Sequence, residues 1–167
     1  NRFRLVYQPI VSLKGDNREY FEALLRLIGD DGKFILPDMF LSAAKRFGLM
    51  AGIDRWVAVS ALEALKQFRH QGRDVVLSIN LSGDCFEDDT FLELIREQML
   101  HNSLPPGCVI FEVTEQAAVR YLEIANAGIQ DLITLGCRFA LDDFGKGFSS
   151  FSYLKHLPVD IIKIDGS

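Results

Sequence analysis

Val75-Val76-Leu77-Ser78-Ile79-Asn80-Leu81, Cys108-Val109-Ile110-Phe111-Glu112-Val113, Arg138-Phe139-Ala140-Leu141-Asp142 and Ile161-Ile162-Lys163-Ile164 are four apolar runs, each carrying a polar residue near its C-terminal end. Between them lie stretches with helical spacing: Thr90–Leu100, then Tyr121–Leu135 stopped by Gly136, then a short piece at Ser149–Lys155. Strands alternating with helices define βαβ units and a parallel sheet. Parallel strands covered by helices read as near-continuous apolar runs. The interruptions therefore need a cause. Asn80 sits between Ile79 and Leu81, Glu112 between Phe111 and Val113, Lys163 between Ile162 and Ile164, and Asp142 ends its strand. Burying an unpaired carboxylate or ammonium costs several kcal/mol, so such groups need one another or a metal. When a parallel sheet curls into a barrel, side chains at the C-terminal strand ends converge, and barrel active sites lie there. Independent satisfaction of each polar group would explain one such residue better than it explains four in step.

Upstream, the pattern differs. Leu5–Leu13 and Glu19–Leu27 are strand-like and joined by Lys14-Gly15-Asp16-Asn17, a hairpin signal that makes the first two strands antiparallel. Pro37–Phe47 and Ile53–Phe68 have helical spacing, with Asp54 as the expected N-cap and Gly72 ending the second helix. Glu22, on the second strand, joins Asn80, Glu112, Asp142 and Asp143 as a set of oxygen donors with Lys163 nearby. Oxygen-only ligation selects Mg²⁺, Mn²⁺ or Ca²⁺ over zinc. Adjacent aspartates such as Asp142 and Asp143 can each take a different ion, and paired metals suit in-line displacement at phosphorus. A lysine among them can hold the attacking water or steady developing charge.

Composition narrows the classes. The 167 residues fit one domain, with 49% hydrophobic and 25% charged residues, as in ordinary globular proteins. A net charge of −5 argues against a nucleic-acid polymer as partner. No apolar run reaches the roughly 18 residues that a membrane span needs, and there is no signal-peptide pattern. The start at Asn1 reads as an excised domain. Cys85, Cys108 and Cys137 are odd in number and outside any C-x-x-C, the usage of reduced, buried cysteines in a cytoplasmic protein. His70, His101 and His156 fall in or beside helices, form no H-E-x-x-H and read as surface residues. Asp143-Phe144-Gly145 lacks the companion motifs of a protein kinase. Gly145-Lys146-Gly147 is not a phosphate-binding Walker loop. Phe148 reads as core rather than as a base-stacking platform.

Six motifs carry a resemblance: Tyr7-Gln8-Pro9-Ile10-Val11, Glu22-Ala23-Leu24-Leu25-Arg26, Asn80-Leu81-Ser82, Glu112-Val113-Thr114-Glu115, Asp142-Asp143-Phe144-Gly145 and Lys163-Ile164-Asp165. In this order, and across the whole chain, they resemble the successive signatures of the EAL domain family. A lone Glu-Ala-Leu carries no information; six motifs in order are specific. The resemblance implies a modified TIM-like (β/α)₈ barrel with an antiparallel first strand pair, of which six of eight strands fall within 1–167. On this expectation the domain is C-terminally incomplete, lacking two strands that bring a further Glu and a Gln. The resemblance also implies hydrolysis of cyclic di-GMP to linear pGpG with Mg²⁺ or Mn²⁺, two ions in all. Glu22, Asn80, Glu112 and Asp142 would be metal ligands, Asp143 would serve the second ion, and Lys163 would hold the catalytic water. Glu115 would anchor the loop after Asp143, and Gln8 and Arg26 would contact the ligand. The implied assembly is a homodimer, fused to sensory or GGDEF-type domains. Three positions depart from the pattern: Lys146-Gly147-Phe148 replaces the usual Thr-Gly-Tyr, Leu27 a frequent Trp, and Lys45 a frequent Glu. The alternative function is a cyclic di-GMP receptor without turnover.

Overall fold

The computed structural model describes residues 2–13, 15, 17–120, 129–146 and 153–166. A hairpin of β1 (Phe3–Ile10) and β2 (Glu19–Ile28) opens the chain, followed by a two-residue strand β3 (Phe34–Ile35) and helices α1 (Pro37–Arg46) and α2 (Met50–His70). Then come β4 (Val75–Leu81), α3 (Asp89–His101), β5 (Val109–Thr114), α4 (Glu115–Arg120), β6 (Arg138–Phe144) and β7 (Ile161–Ile164). Residues 129–134 are also helical. The sheet runs β1-β2-β4-β5-β6-β7, with β3 paired to β2. The β1–β2 and β2–β3 pairs are antiparallel and the others along the sheet are parallel. This is the expected mixed sheet of a TIM-like barrel wall.

Alternation along each strand sorts side chains onto two faces. Leu77, Ile79, Phe111, Val113, Phe139 and Leu141 are buried against the helices in one large core with Val57, Ala61, Leu62 and Leu65 of α2 and Phe91 and Ile95 of α3. The opposite face, the lumen side, has only a small apolar floor of Val76, Ile110 and Ala140, flanked by Tyr20 and Ile161. Two residues further along β4, β5, β6 and β7 on this same face stand Ser78, Glu112, Asp142 and Lys163. Apolar packing therefore holds the outer layer, and the lumen above its floor is left to polar groups. Arg55 of α2 forks onto Asp88 at 2.8 and 3.0 Å, and Asp88 caps α3 by accepting from Thr90 N at 3.1 Å. Helices α2 and α3 are thereby tied at their N-terminal ends.

Several local expectations are corrected. Asp54 is not an N-cap, because α2 begins four residues earlier at Met50. Its carboxylate is 3% exposed and accepts from the Ser82 hydroxyl at 2.5 Å, a bond that spans 28 residues of sequence. The first strand ends at Ile10, and Val11 and Leu13 beyond it are exposed. The short strand β3 and helix α4 were not anticipated. Of the helix expected over Tyr121–Leu135, residues 121–128 lie outside the described residues, as do 149–152 of the piece at Ser149–Lys155. Its described end is a 3₁₀ turn, Tyr153–His156. Phe148 also lies outside them. All three cysteines are free and buried.

Candidate active site

Three carboxylates of different strands converge on one ammonium. Lys163 Nζ lies 2.5 Å from Glu112 Oε2, 3.4 Å from Asp142 Oδ2 and 3.5 Å from Glu22 Oε2. Asn80 Nδ2 donates to Glu22 Oε1 at 2.8 Å, so the fourth donor is linked through Glu22. Register explains the gathering: Asn80 pairs with Glu112, Glu22 lies two residues below on the same face beside Ser78, and Asp142 lies two residues above on the same face beside Thr114. The long Glu and Lys side chains span those rungs. Glu112 is only 2% exposed, and burial raises its carboxyl above the usual range despite the opposing charge and hydrogen bond of Lys163. Burial works against the Lys163 ammonium, but its hydrogen bond to Glu112 and the charges of Glu112, Glu22 and Asp142 outweigh it and raise its pKa. Ser78 is buried on the same face, and its hydroxyl works against the rise of the Glu112 carboxyl. The sequence reading missed it, because a small hydroxyl inside an apolar strand carries no charge signal.

Asp143 reaches the site by a different device. In a regular strand it would face the helices, opposite to Asp142. Instead the β6–β7 register breaks between Leu141 and Phe144, and Asp143 adopts a left-handed φ of 54°. Asp tolerates that conformation better than most residues. The result is that Asp142 and Asp143 both line a cavity of about 410 Å³ at the C-terminal strand ends, with Asp38, Asp54, Asn80 and Ser82. Burial pushes the Asp54 carboxyl up to about 7, against the hydrogen bonds from Ser82. Asp143 also faces a neighbouring cavity of about 560 Å³, lined by Thr114, Glu115, Val119, Arg120 and Lys146.

The remaining predicted residues are placed as follows. Glu115 starts α4, is 8% exposed, and accepts from Gly145 N at 3.1 Å, where Gly145 takes a φ of 98°. Arg26 lies two steps along β2 from Glu22, on the same face, half-buried, donating to Leu25 O at 2.8 Å. Gln8 is exposed on β1, directly across the ladder from Glu22. His70 and His101 are exposed at helix ends, and the His156 side chain lies outside the described residues.

The donor set suits a hard cation, since four strands bring oxygen donors to one positive charge. The carboxylates are drawn around Lys163 itself. Among the described residues, no three His, Cys, Asp or Glu side chains are gathered closely enough to hold a metal ion as they stand.

An antiparallel first strand pair leading into parallel strands, with an acid-rich, lysine-centred cluster at their C-terminal ends, places the chain in the class of TIM-like barrel domains. More particularly, the chain belongs to the EAL domain family, whose profile matches residues 1–167. It is 40% identical over 167 residues to the cyclic di-GMP phosphodiesterase PdeB of Shewanella oneidensis, covering 99% of this chain and 20% of that protein. It is 37% identical to the cyclic di-GMP phosphodiesterase PdeF of Escherichia coli, covering 100% of this chain and 22% of that protein. The crystal structure of the FimX EAL domain from Pseudomonas aeruginosa bound to c-di-GMP superposes with a TM-score of 0.91 at 38% identity, over 99% of this chain and 66% of that one. The chain thus spans about a fifth of the length of these two curated relatives.

Proposed function

We propose that this domain binds cyclic di-GMP and hydrolyses one of its phosphodiester bonds to give linear pGpG, with Mg²⁺ or Mn²⁺ as cofactor. The observation that carries the proposal is the convergence of Glu22, Glu112 and Asp142 within 3.5 Å of Lys163 Nζ beside an open cavity. Relatives named as cyclic di-GMP phosphodiesterases supply the substrate. Glu22, Asn80, Glu112 and Asp142 would hold the first ion and Asp143 would serve a second. Bound there, the ions would lower the pKa of a water and offset charge building on the phosphate oxygens.

The protein's own groups would do the rest. Lys163, released from its carboxylates, would donate to the attacking water and fix its position. Asn80 orients Glu22 through its amide. Arg26 would pair with a ligand phosphate, for which its guanidinium fork is suited, and Gln8 would contact the ligand from the adjacent strand. Glu115 would keep the Asp143 loop in place through Gly145. The proposal extends to a cytoplasmic location, supported by three free buried cysteines. It also includes a homodimeric assembly and fusion to sensory or GGDEF-type domains. Among the described residues, no helix is long and apolar enough to cross a membrane.

A receptor that binds cyclic di-GMP without turnover is the second reading. The Lys146–Asp143 ion pair favours it, because it engages a carboxylate that catalysis would need. Chelating divalent ions and adding them back separates the two. On the enzymatic reading, conversion to pGpG stops in chelator, returns with Mg²⁺ or Mn²⁺ and does not return with Ca²⁺, whose looser coordination positions the reacting atoms poorly. Full turnover in chelator would refute the metal-dependent reading.

A further inference from the structure

Lys146 follows the Asp142-Asp143 pair and lines the cavity that Asp143 faces. Its Nζ lies 2.8 Å from Asp165 Oδ2 and 3.7 Å from Asp143 Oδ1. The loop does not need this bridge to hold its backbone. Gly145 N is already held by Glu115 at 3.1 Å, and Asp165 N donates to Phe144 O at 3.2 Å. What the lysine adds is a positive charge between two carboxylates, one of which faces the active-site cavity. The two partners also differ. Asp165 is 11% exposed and makes the short contact, whereas Asp143 is 47% exposed and makes the long one.

We propose that Lys146 is a built-in competitor for the second divalent ion: anchored on Asp165, it holds Asp143 and must withdraw before an ion can use that carboxylate. The inference rests on the metal-dependent reading above and deepens it. A tethered ammonium is present at high effective concentration. An uncharged side chain at this position would leave Asp143 without that neighbouring charge. A divalent ion a few ångströms from an ammonium is also repelled by it, which at the dielectric of an exposed site weakens binding by roughly tenfold. Lys146 is 55% exposed, so it has room to swing outward once an ion is supplied in excess. The wild-type protein would therefore take a first ion at the Glu22, Asn80, Glu112 and Asp142 set and fill the second position only at much higher metal concentration.

The test is a Mn²⁺ titration of the whole protein, read by the electron paramagnetic resonance of free Mn²⁺ and by calorimetry, with melting curves confirming that each variant is folded. Lys146→Thr and Lys146→Gln should tighten the second, weaker site by about tenfold and leave the first unchanged. Lys146→Arg should keep the wild-type pattern, and adding Asp143→Asn to Lys146→Gln should abolish the gain. Equal second-site affinity in wild type, Lys146→Thr and Lys146→Gln would overturn the proposal while leaving the metal reading intact. So would a gain that survives Asp143→Asn. No Mn²⁺ binding by any of the proteins would overturn both, and would be seen in the wild type first.

Discussion

Replacing Lys163 by methionine keeps most of the length of the side chain, one atom short of Nζ, and removes the one charge on which three carboxylates converge. Glu112, 2% exposed and 2.5 Å from that charge, loses its nearest counter-ion, while Asp142 and Glu22 are left facing it. Deleting one partner of a buried pair costs about 3–5 kcal/mol. Lys163 is 29% exposed, which places the expected cost at the lower end, about 3 kcal/mol. For a chain of this size each kcal/mol moves the melting temperature by roughly 2–4 °C, so the variant should melt about 6–12 °C lower in chelator. Burial already raises the Glu112 carboxyl, and without Lys163 the folded protein would take up a proton there that the unfolded chain does not. The loss should therefore be smaller near pH 5 and larger near pH 8. Divalent metal gives a second signature. In the wild type an ion must displace Lys163, whereas in the variant it restores a missing charge, so Mn²⁺ should raise the melting temperature of Lys163→Met by more than it raises the wild type. Scanning calorimetry at two pH values, with chelator or Mn²⁺, measures each quantity. A variant that melts within a degree or so of wild type in chelator, or that gains no more from Mn²⁺ than wild type does, would refute the account of this cluster.

Three further outcomes separate binding, chemistry and stability. Arg26→Ala should weaken cyclic di-GMP binding by about 1.5–3 kcal/mol through loss of a charge-assisted donor, whereas Glu22→Ala should abolish most turnover without lowering the melting temperature, because the cluster loses one of its like charges; calorimetric titration, steady-state rates and melting curves on both variants check this. Asp54 has its folded pKa raised to about 7, mainly by burial. Its folded form holds a proton that the unfolded chain releases near pH 4, so its ionisation removes stability as pH rises from about 4 to 7, at no more than about 1.4 kcal/mol per pH unit. Asp54→Asn should remove that component from urea-unfolding curves between about pH 4 and 7, and an unchanged pH dependence would count against the assignment.

The parts of this fold that were legible in the sequence are those set by short-range periodicity. Val75–Leu81 and Ile161–Ile164 have the expected bounds because alternation and apolar content are local properties. The parts that were not legible depend on a distant partner. Asp54 looks like a helix cap in sequence, but its partner Ser82 is brought beside it only when β4 packs on α2. Phe34–Ile35 is too short for any periodicity and exists as a strand only because β2 offers it an edge. Helix α4 begins at Glu115 directly after the last residue of β5, with no turn residue to announce it. At the site, Glu22, Asn80, Glu112, Asp142 and Lys163 stood out as charges or amides in apolar surroundings. The left-handed φ of Asp143 and the break in the β6–β7 register left no trace, because nothing in Asp-Asp-Phe-Gly distinguishes a bulge from a regular strand end.

The cation at the centre of the cluster comes from β7, a strand of four residues that follows β6 in the sheet. The β6–β7 ladder is itself interrupted by the register shift. Polar contacts tie β7 and its flanks to the rest of the sheet: Lys163 to three carboxylates, Asp160 accepting from Phe139 N at 2.9 Å, and Asp165 to Lys146. Two of these three attachments end on carboxylates proposed as metal ligands or on the lysine that competes for one. Drawing Lys163 and Lys146 away from those carboxylates would loosen the same strand that carries Lys163. Ion binding and the packing of β7 then form one linked equilibrium, in which each divalent ion that enters must replace a contact holding the strand as well as the charge it displaces.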